Sequence, residues 1–189
     1  MAAALNALPR LENLKMSVAA EKTWYGAEHD NMAEGFKLAM RRLSATVTIV
    51  STGDDEGYHG LAATAVTSLS TEPPAILACI NRTASPFEKL LQRKRFAINI
   101  LHTDNAGLVP IFSGKIKGPE RFKHGVWDHL DGVPILGDAQ AVIVCTLAQN
   151  MDFGTHTIII GAVETIRIRA DIDPLIYQDG YLGKVVRLD

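Results

Sequence analysis

What most restricts the fold of this chain is how little helical periodicity lies between its β-branched runs. Residues 46–52, 75–80, 96–101, 141–149 and 156–169 are apolar or alternating and rich in Val, Ile and Thr, the side chains that suit a pleated, half-buried surface. Helical spacing is confined to Met32, Phe36, Met40 and Leu43, to residues 86–95, and to a short segment before Phe112. A doubly wound parallel sheet needs a helix between successive strands, and this chain lacks that regular alternation. The succession therefore predicts a mainly β architecture, an antiparallel barrel with peripheral helices. Turn chemistry agrees. Gly53-Asp54-Asp55-Glu56-Gly57 closes a hairpin, Pro73-Pro74 breaks a strand, residues 150–155 join the two longest runs, and Asp179-Gly180 turns the chain between Tyr177 and Tyr181.

The connecting parts follow from caps and breakers. Asp30 or Asn31 caps the first helix, and the helix at 86–95 ends on Arg93-Lys94-Arg95, as the macrodipole favours. Thr103 or Asp104 caps a short helix that Pro110 bends or ends, and residues 113–138 read as a loop rich in Gly, Lys and His, anchored by Trp127. At the N-terminus Leu5, Leu8, Leu11 and Leu14 recur at three-residue spacing, broken by Pro9 and followed by a polar and aromatic stretch. This predicts an arm over residues 1–29 appended to one domain over 30–189.

The totals remove whole classes of function. With 189 residues, 47% hydrophobic and 21% charged, the chain suits a single soluble domain that buries a core without staples. A formal net charge of −2 gives no electrostatic case for nucleic acid or a membrane surface. No apolar run reaches the roughly 18 residues of a membrane span, and the N-terminus lacks the cationic lead and apolar core of a signal peptide. Cys79 and Cys145 each sit in an apolar run, as buried reduced thiols do, which points to a reducing cytoplasm. None of the six histidines (His29, His59, His102, His124, His129 and His156) forms an H-x-x-x-H pair or lies near a cysteine at ligand spacing, so no metal site is expected. G-x-S-x-G, G-x-G-x-x-G and the P-loop are all missing, so a nucleotide must be held in some other way.

The chemistry concentrates between His59 and Phe87. Ala62, Ala63, Thr64 and Ala65 are small, so a flat ligand can approach their backbone N–H and C=O groups closely. Ser68 and Ser70 follow at strand period, which places both hydroxyls on one face. Asn81-Arg82-Thr83-Ala84-Ser85-Pro86 then supplies an amide, a guanidinium and hydroxyls where a helix begins. There Ser85 fits an N-cap, Pro86 the first helical position, and Glu88 completes a capping box. An Arg beside a helix start suits an anion. Taken singly, alternating hydroxyls mean only a half-solvated β face, and a capping box only caps. The order of the features gives them weight.

That order resembles a known family. The succession His59-Gly60-Leu61-Ala62-Ala63-Thr64-Ala65-Val66-Thr67-Ser68-Leu69-Ser70, then Glu72-Pro73-Pro74, Cys79-Ile80-Asn81-Arg82, Phe96-Ala97-Ile98-Asn99-Ile100-Leu101, Phe112-Ser113-Gly114 and Gly154-Thr155-His156-Thr157 is similar to that of the flavin reductases of two-component flavin-dependent monooxygenases. Among them the chain resembles the reductase partners of 4-hydroxyphenylacetate 3-monooxygenase and of pyrimidine monooxygenase, over about residues 32–187.

The resemblance implies a Greek-key split β-barrel that binds FMN, a homodimer, and NAD(P)H-dependent reduction of FMN or FAD. The reduced flavin then diffuses to a separate monooxygenase. It assigns Ala62, Ala63, Thr64, Ala65, Val66 and Ser68 to the isoalloxazine and ribityl region, and Asn81, Arg82 and Ser85 to the flavin phosphate. Ser85 cannot easily both cap a helix and bond phosphate, so Arg82 is the stronger candidate. His156 falls beside the nicotinamide, where a neutral imidazole orients the dihydropyridine, and Phe112, Ser113 and Tyr177 are candidates for the flavin wall. Many relatives carry Thr or Ser where this chain has Ala62. Two other readings keep the fold: a reductase that retains its flavin and serves another acceptor such as a corrinoid, and a non-catalytic flavin- or haem-binding module.

Overall fold

A computed structural model describes residues 31–188. Its strands are β1 (Ala45–Thr46), β2 (Thr48–Asp54), β3 (Gly57–Ala63), β4 (Val66–Thr71), β5 (Pro74–Asn81), β6 (Arg95–Ile100), β7 (Trp127–Leu130), β8 (Val133–Leu136), β9 (Ala141–Phe153), β10 (His156–Ile168), β11 (Ile176–Gln178) and β12 (Tyr181–Gly183). The longest helices beside them are α1 (Met32–Met40) and α2 (Phe87–Arg93), and short helical turns occupy Thr103–Asn105, Leu108–Pro110, Ile111–Lys115 and Gly118–Lys123.

Seven strands form one sheet in the order β3-β2-β6-β9-β10-β5-β4, with every pairing antiparallel. Hairpin neighbours alternate with partners distant in sequence, β2 with β6, β6 with β9 and β10 with β5, as a Greek key requires. The two edge strands, β3 and β4, follow one another in the chain across Thr64 and Ala65 alone, yet they are not hydrogen-bonded to each other. The wall is split at that point. The expected antiparallel barrel is thus the observed one.

Strand periodicity divides the core into two apolar layers. Val47, Ile49, Ala97, Leu101, Val142 and Val144 face one cluster, completed by Phe112, Ile135 and Leu136. Val50, Phe96, Ile98 and Cys145 face the other, completed by Ile80, Phe87, Leu90 and Ile159. Burying such a side chain stabilises by about 1.5–3 kcal/mol, so a strand covered on both faces reads as a continuous apolar run. Gly161 belongs to this packing. A Cβ there would stand 2.6 Å from Phe96 Cζ and 2.8 Å from Cys145 Cβ, so the Phe96 ring needs a glycine opposite it.

Residues 113–138 are not one loop, as their composition suggested. They contain a helical turn at Gly118–Lys123 and the β7–β8 hairpin. Its turn residues Asp131 (φ 48°) and Gly132 (φ 81°) both take the left-handed conformation of a two-residue hairpin turn. Asn99 locks this hairpin onto the sheet although it has no exposed surface. Its amide donates to Ile49 O and Ser51 Oγ, each at 2.9 Å, and its carbonyl oxygen accepts from Leu136 N at 2.8 Å. Ser51 Oγ in turn donates to Pro134 O at 2.7 Å.

Caps also differ in part. Asn31 caps α1, its Oδ1 accepting from Ala33 N at 3.1 Å. His102, not Thr103 or Asp104, caps the turn at Thr103–Asn105: its Nδ1 accepts from Asp104 N at 3.1 Å, and its own N–H donates to Asn105 Oδ1. Ser85 caps nothing. The N-cap of α2 is Pro86, without a side-chain bond, and the helix ends at Arg93, two residues before the expected boundary, with Lys94 (φ 56°) as its C-cap. The expected arm over residues 1–29 lies outside the described residues.

Candidate functional site

The site forms along the open edge of β3. On one side Ala62 and Ala63 pair with Ile49 and Thr48, and the Thr48 hydroxyl donates to Ala63 O at 2.8 Å. On the other side β3 has no strand partner among the described residues, so its outward N–H and C=O groups meet open space past two methyl side chains. A cavity of about 230 Å³ lies there, lined by Val47, Ala62, Ala63, Thr64, Val109, Ser113 and Tyr177. A second, of about 300 Å³, is lined by Leu61, Ala62, Ala84, Ser85, Pro86, Phe112, Ser113, Gly114 and Arg121. They share Ala62 and Ser113, and together they reach the size of ordinary small-molecule sites, about 300–1,000 Å³.

Four separate parts of the chain supply this trough. The β3 edge gives Ala62, Ala63 and Thr64. Ser85 comes from the turn before α2, where its hydroxyl makes no hydrogen bond among the described residues. Phe112 and Ser113 come from the helical turn at Ile111–Lys115, and Tyr177 from β11, which pairs with β1 through Ala45. Phe112 is floor more than wall. It is 2% exposed and meets the Phe122 ring edge-on at a centroid distance of 5.2 Å, with Trp127 tilted against it at 5.4 Å.

Other expected site residues lie elsewhere. Ala65 and Val66 continue round the split towards β5: Ala65 O accepts from Cys79 N at 2.9 Å, and Val66 N donates to Thr64 O at 3.0 Å. Ser68 and Ser70 do not share a face. Leu69 is an extra residue in a bulge, so Ser68 stands opposite Ile76 and Ser70 opposite Ala75, adjacent residues that leave the sheet on opposite sides. Asn81 turns inward on its own loop, its Oδ1 accepting from Thr83 N and Thr83 Oγ1, each at 2.9 Å.

Arg82 is committed to the β9–β10 turn. Its guanidinium donates to Gly154 O and to Asp152 Oδ2, and its backbone N–H to Thr155 O at 3.0 Å. His156 pairs with Asn81 across the ladder and is exposed, with Nδ1 2.9 Å from Thr155 Oγ1. Asn81, Arg82 and His156 thus form a second group at that turn, and none of them lines the trough.

The residue that sequence reasoning missed is Arg121. Only 4% exposed, it lines the trough beside Ser85 and Gly114. It donates to Ile116 O at 2.8 Å and to Gly60 O, and its Cζ sits 5.9 Å from the Phe112 ring centre. Among the described residues no carboxylate pairs with it, and burial presses its pKa below the usual guanidinium value. No sequence signal marked it, because its partners are main-chain carbonyls.

An open-edged antiparallel barrel with a cofactor-sized trough along the edge defines a class, and the chain belongs to it: residues 40–185 match the flavin reductase like domain family. Among curated relatives, the reductase component of the FADH(2)-dependent resorcinol hydroxylase of Rhizobium sp. (strain MTP-10005) is 40% identical over 154 residues, covering 79% of this chain and 86% of that protein. The FMN reductase (NADH) RutF of Agrobacterium fabrum is 36% identical over 163 residues, covering 86% of this chain and 94% of its own length. Among solved structures, flavin reductase PheA2 in its native state superposes with a TM-score of 0.74 at 32% identity, over 82% of this chain and 98% of that one. Fold and enzyme class are therefore those expected from the sequence: this is a flavin reductase-like oxidoreductase with the split-barrel fold.

Proposed function

We propose that this chain is an NAD(P)H:flavin oxidoreductase that reduces FMN, with FAD as an alternative substrate, and releases the reduced flavin to a separate monooxygenase. The observation that carries the reading is the trough itself. Among the described residues it joins a backbone edge that no strand covers to a buried cation that no carboxylate neutralises. Those are the two features an aromatic, hydrogen-bonding, anionic cofactor needs. Bound there, a flavin supplies the redox chemistry by accepting a hydride from the nicotinamide.

The protein's own part is placement. The edge groups of Ala62, Ala63 and Thr64 hold the polar rim of the ring, and Ser113 and Tyr177 flank it. Ala65, Val66 and Ser68 continue that wall across the split. His156 orients the nicotinamide, held in place by the turn that Arg82 and Asn81 brace. Catalysis of this kind works by positioning and needs no strong acid or base.

We place the protein in the cytoplasm as a homodimer. Two free thiols, one of them buried with its pKa pushed up to about 12, suit a reducing compartment. Phe153, Ile166 and Ile168 are 80%, 54% and 77% exposed, apolar surface of the kind that a second subunit covers.

Purified protein with NADH and catalytic FMN should oxidise NADH; no oxidation with either nicotinamide and either flavin overturns the proposal. A His156→Ala variant should bind flavin as before and lose most NADH oxidation. Unchanged turnover in that variant removes His156 from the site.

A further inference from the structure

We propose that Arg121, rather than Arg82, is the cation that recognises the flavin's phosphate, an assignment that rests on the flavin reductase reading above. A guanidinium taken out of water costs several kcal/mol unless its charge is met. The carbonyls of Gly60 and Ile116 take three of its five N–H donors, which satisfies those bonds and, among the described residues, brings no opposite charge to it. One donor is left over on each terminal nitrogen, and a guanidinium can present such a pair as a fork to two oxygens of one anion.

The surroundings agree. Ser85, freed from capping, and Ser113 line the same space, and among the described residues no carboxylate lines that part of the trough to repel a dianion. A Cβ on Gly114 would meet nothing within 4 Å, so room remains beside the fork. Arg82, by contrast, is 45% exposed and pairs with Asp152 and Gly154 O, so binding a phosphate would require breaking that brace. A phosphate could also arrive on the nicotinamide dinucleotide. The flavin is favoured because Ala62 belongs to both halves of the trough and so links the fork to the ring slot.

The test compares FMN with riboflavin, which lacks only the phosphate, by flavin-fluorescence titration of the full chain without nicotinamide, and includes inorganic phosphate as competitor. The wild type should bind FMN at least about 10-fold tighter than riboflavin, since a charge-assisted contact of this kind contributes on that order. Phosphate should displace FMN and leave riboflavin bound. Arg121→Met should raise the FMN Kd to that of riboflavin without moving the latter, while Arg82→Gln should keep the ratio. If Arg121→Met does not fold by circular dichroism, Arg121→Lys gives the same reading, with a reduced FMN-to-riboflavin ratio expected from the lost fork.

A folded Arg121 variant that keeps the wild-type ratio overturns the assignment. So does an Arg82→Gln variant that loses it, or FMN that phosphate fails to displace. Wild-type protein that binds both flavins equally overturns this assignment alone; protein that binds neither overturns the flavin reductase reading as well.

Discussion

Asn99 makes three hydrogen bonds with no surface exposed to solvent, so each of its partners depends on it. Replacing it with Leu keeps the volume but strands Leu136 N–H and removes a donor from Ile49 O. An unsatisfied buried group costs about 1–3 kcal/mol, and Asn99→Leu should lower the unfolding free energy by that amount in urea titrations. Asp54 behaves differently because it titrates. His59 Nε2, at 2.9 Å, and then Lys89, at 3.0 Å, hold its carboxyl well below the ordinary aspartate value of about 3.9. A carboxylate depressed in the folded state stabilises fully above the unfolded value, and that contribution fades as pH falls through the folded one. Asp54→Asn should therefore unfold at lower urea than wild type near pH 7, with the gap closing below about pH 4; a gap independent of pH would count against the pairing.

The β9–β10 hairpin depends on a residue outside it. Arg82 fastens its turn through Gly154 O, Asp152 and the backbone bond to Thr155 O. Exposed ion pairs contribute about 0–1 kcal/mol, so Arg82→Ala should change global stability by less than about 1 kcal/mol. Amide hydrogen exchange at residues 152–156 should nonetheless rise, and the KM for NADH with it, because His156 stands on that turn.

Elements of this kind were legible in the sequence wherever one local rule decided them. Residues 156–169 read as a strand from β-branching, and Asp179-Gly180 as a turn from its dipeptide. The β7–β8 hairpin was missed although Asp131-Gly132 carries the same signal, because its strands are only four residues each, too short to show a period, and Pro134 interrupts the second. Of the site, the small residues Ala62 to Thr64 were readable, since a backbone slot needs side chains that stay out of the way. Arg121 was not, since its burial is set by carbonyls 5 and 61 positions away. Ser68 was placed with Ser70 because a one-residue bulge leaves no mark in a pattern of period two.

At the scale of the whole molecule, the described residues leave apolar surface exposed at Phe153, Ile166 and Ile168. Light scattering should report twice the 20.5 kDa chain mass, and Ile168→Asp should shift it towards one chain. A wild-type mass of 20.5 kDa would exclude the homodimer. The unpaired edges of β3 and β4 matter on the same level. A sealed cylinder releases a guest only when part of its ladder ruptures, so residence time follows the stability of the wall. Here the wall is a garment left open along one seam, and a guest slips out without a single stitch being cut. Its departure rate is then governed by the few grips on the guest itself, so substitutions that weaken the sheet, such as Asn99→Leu, should leave flavin off-rates nearly unchanged.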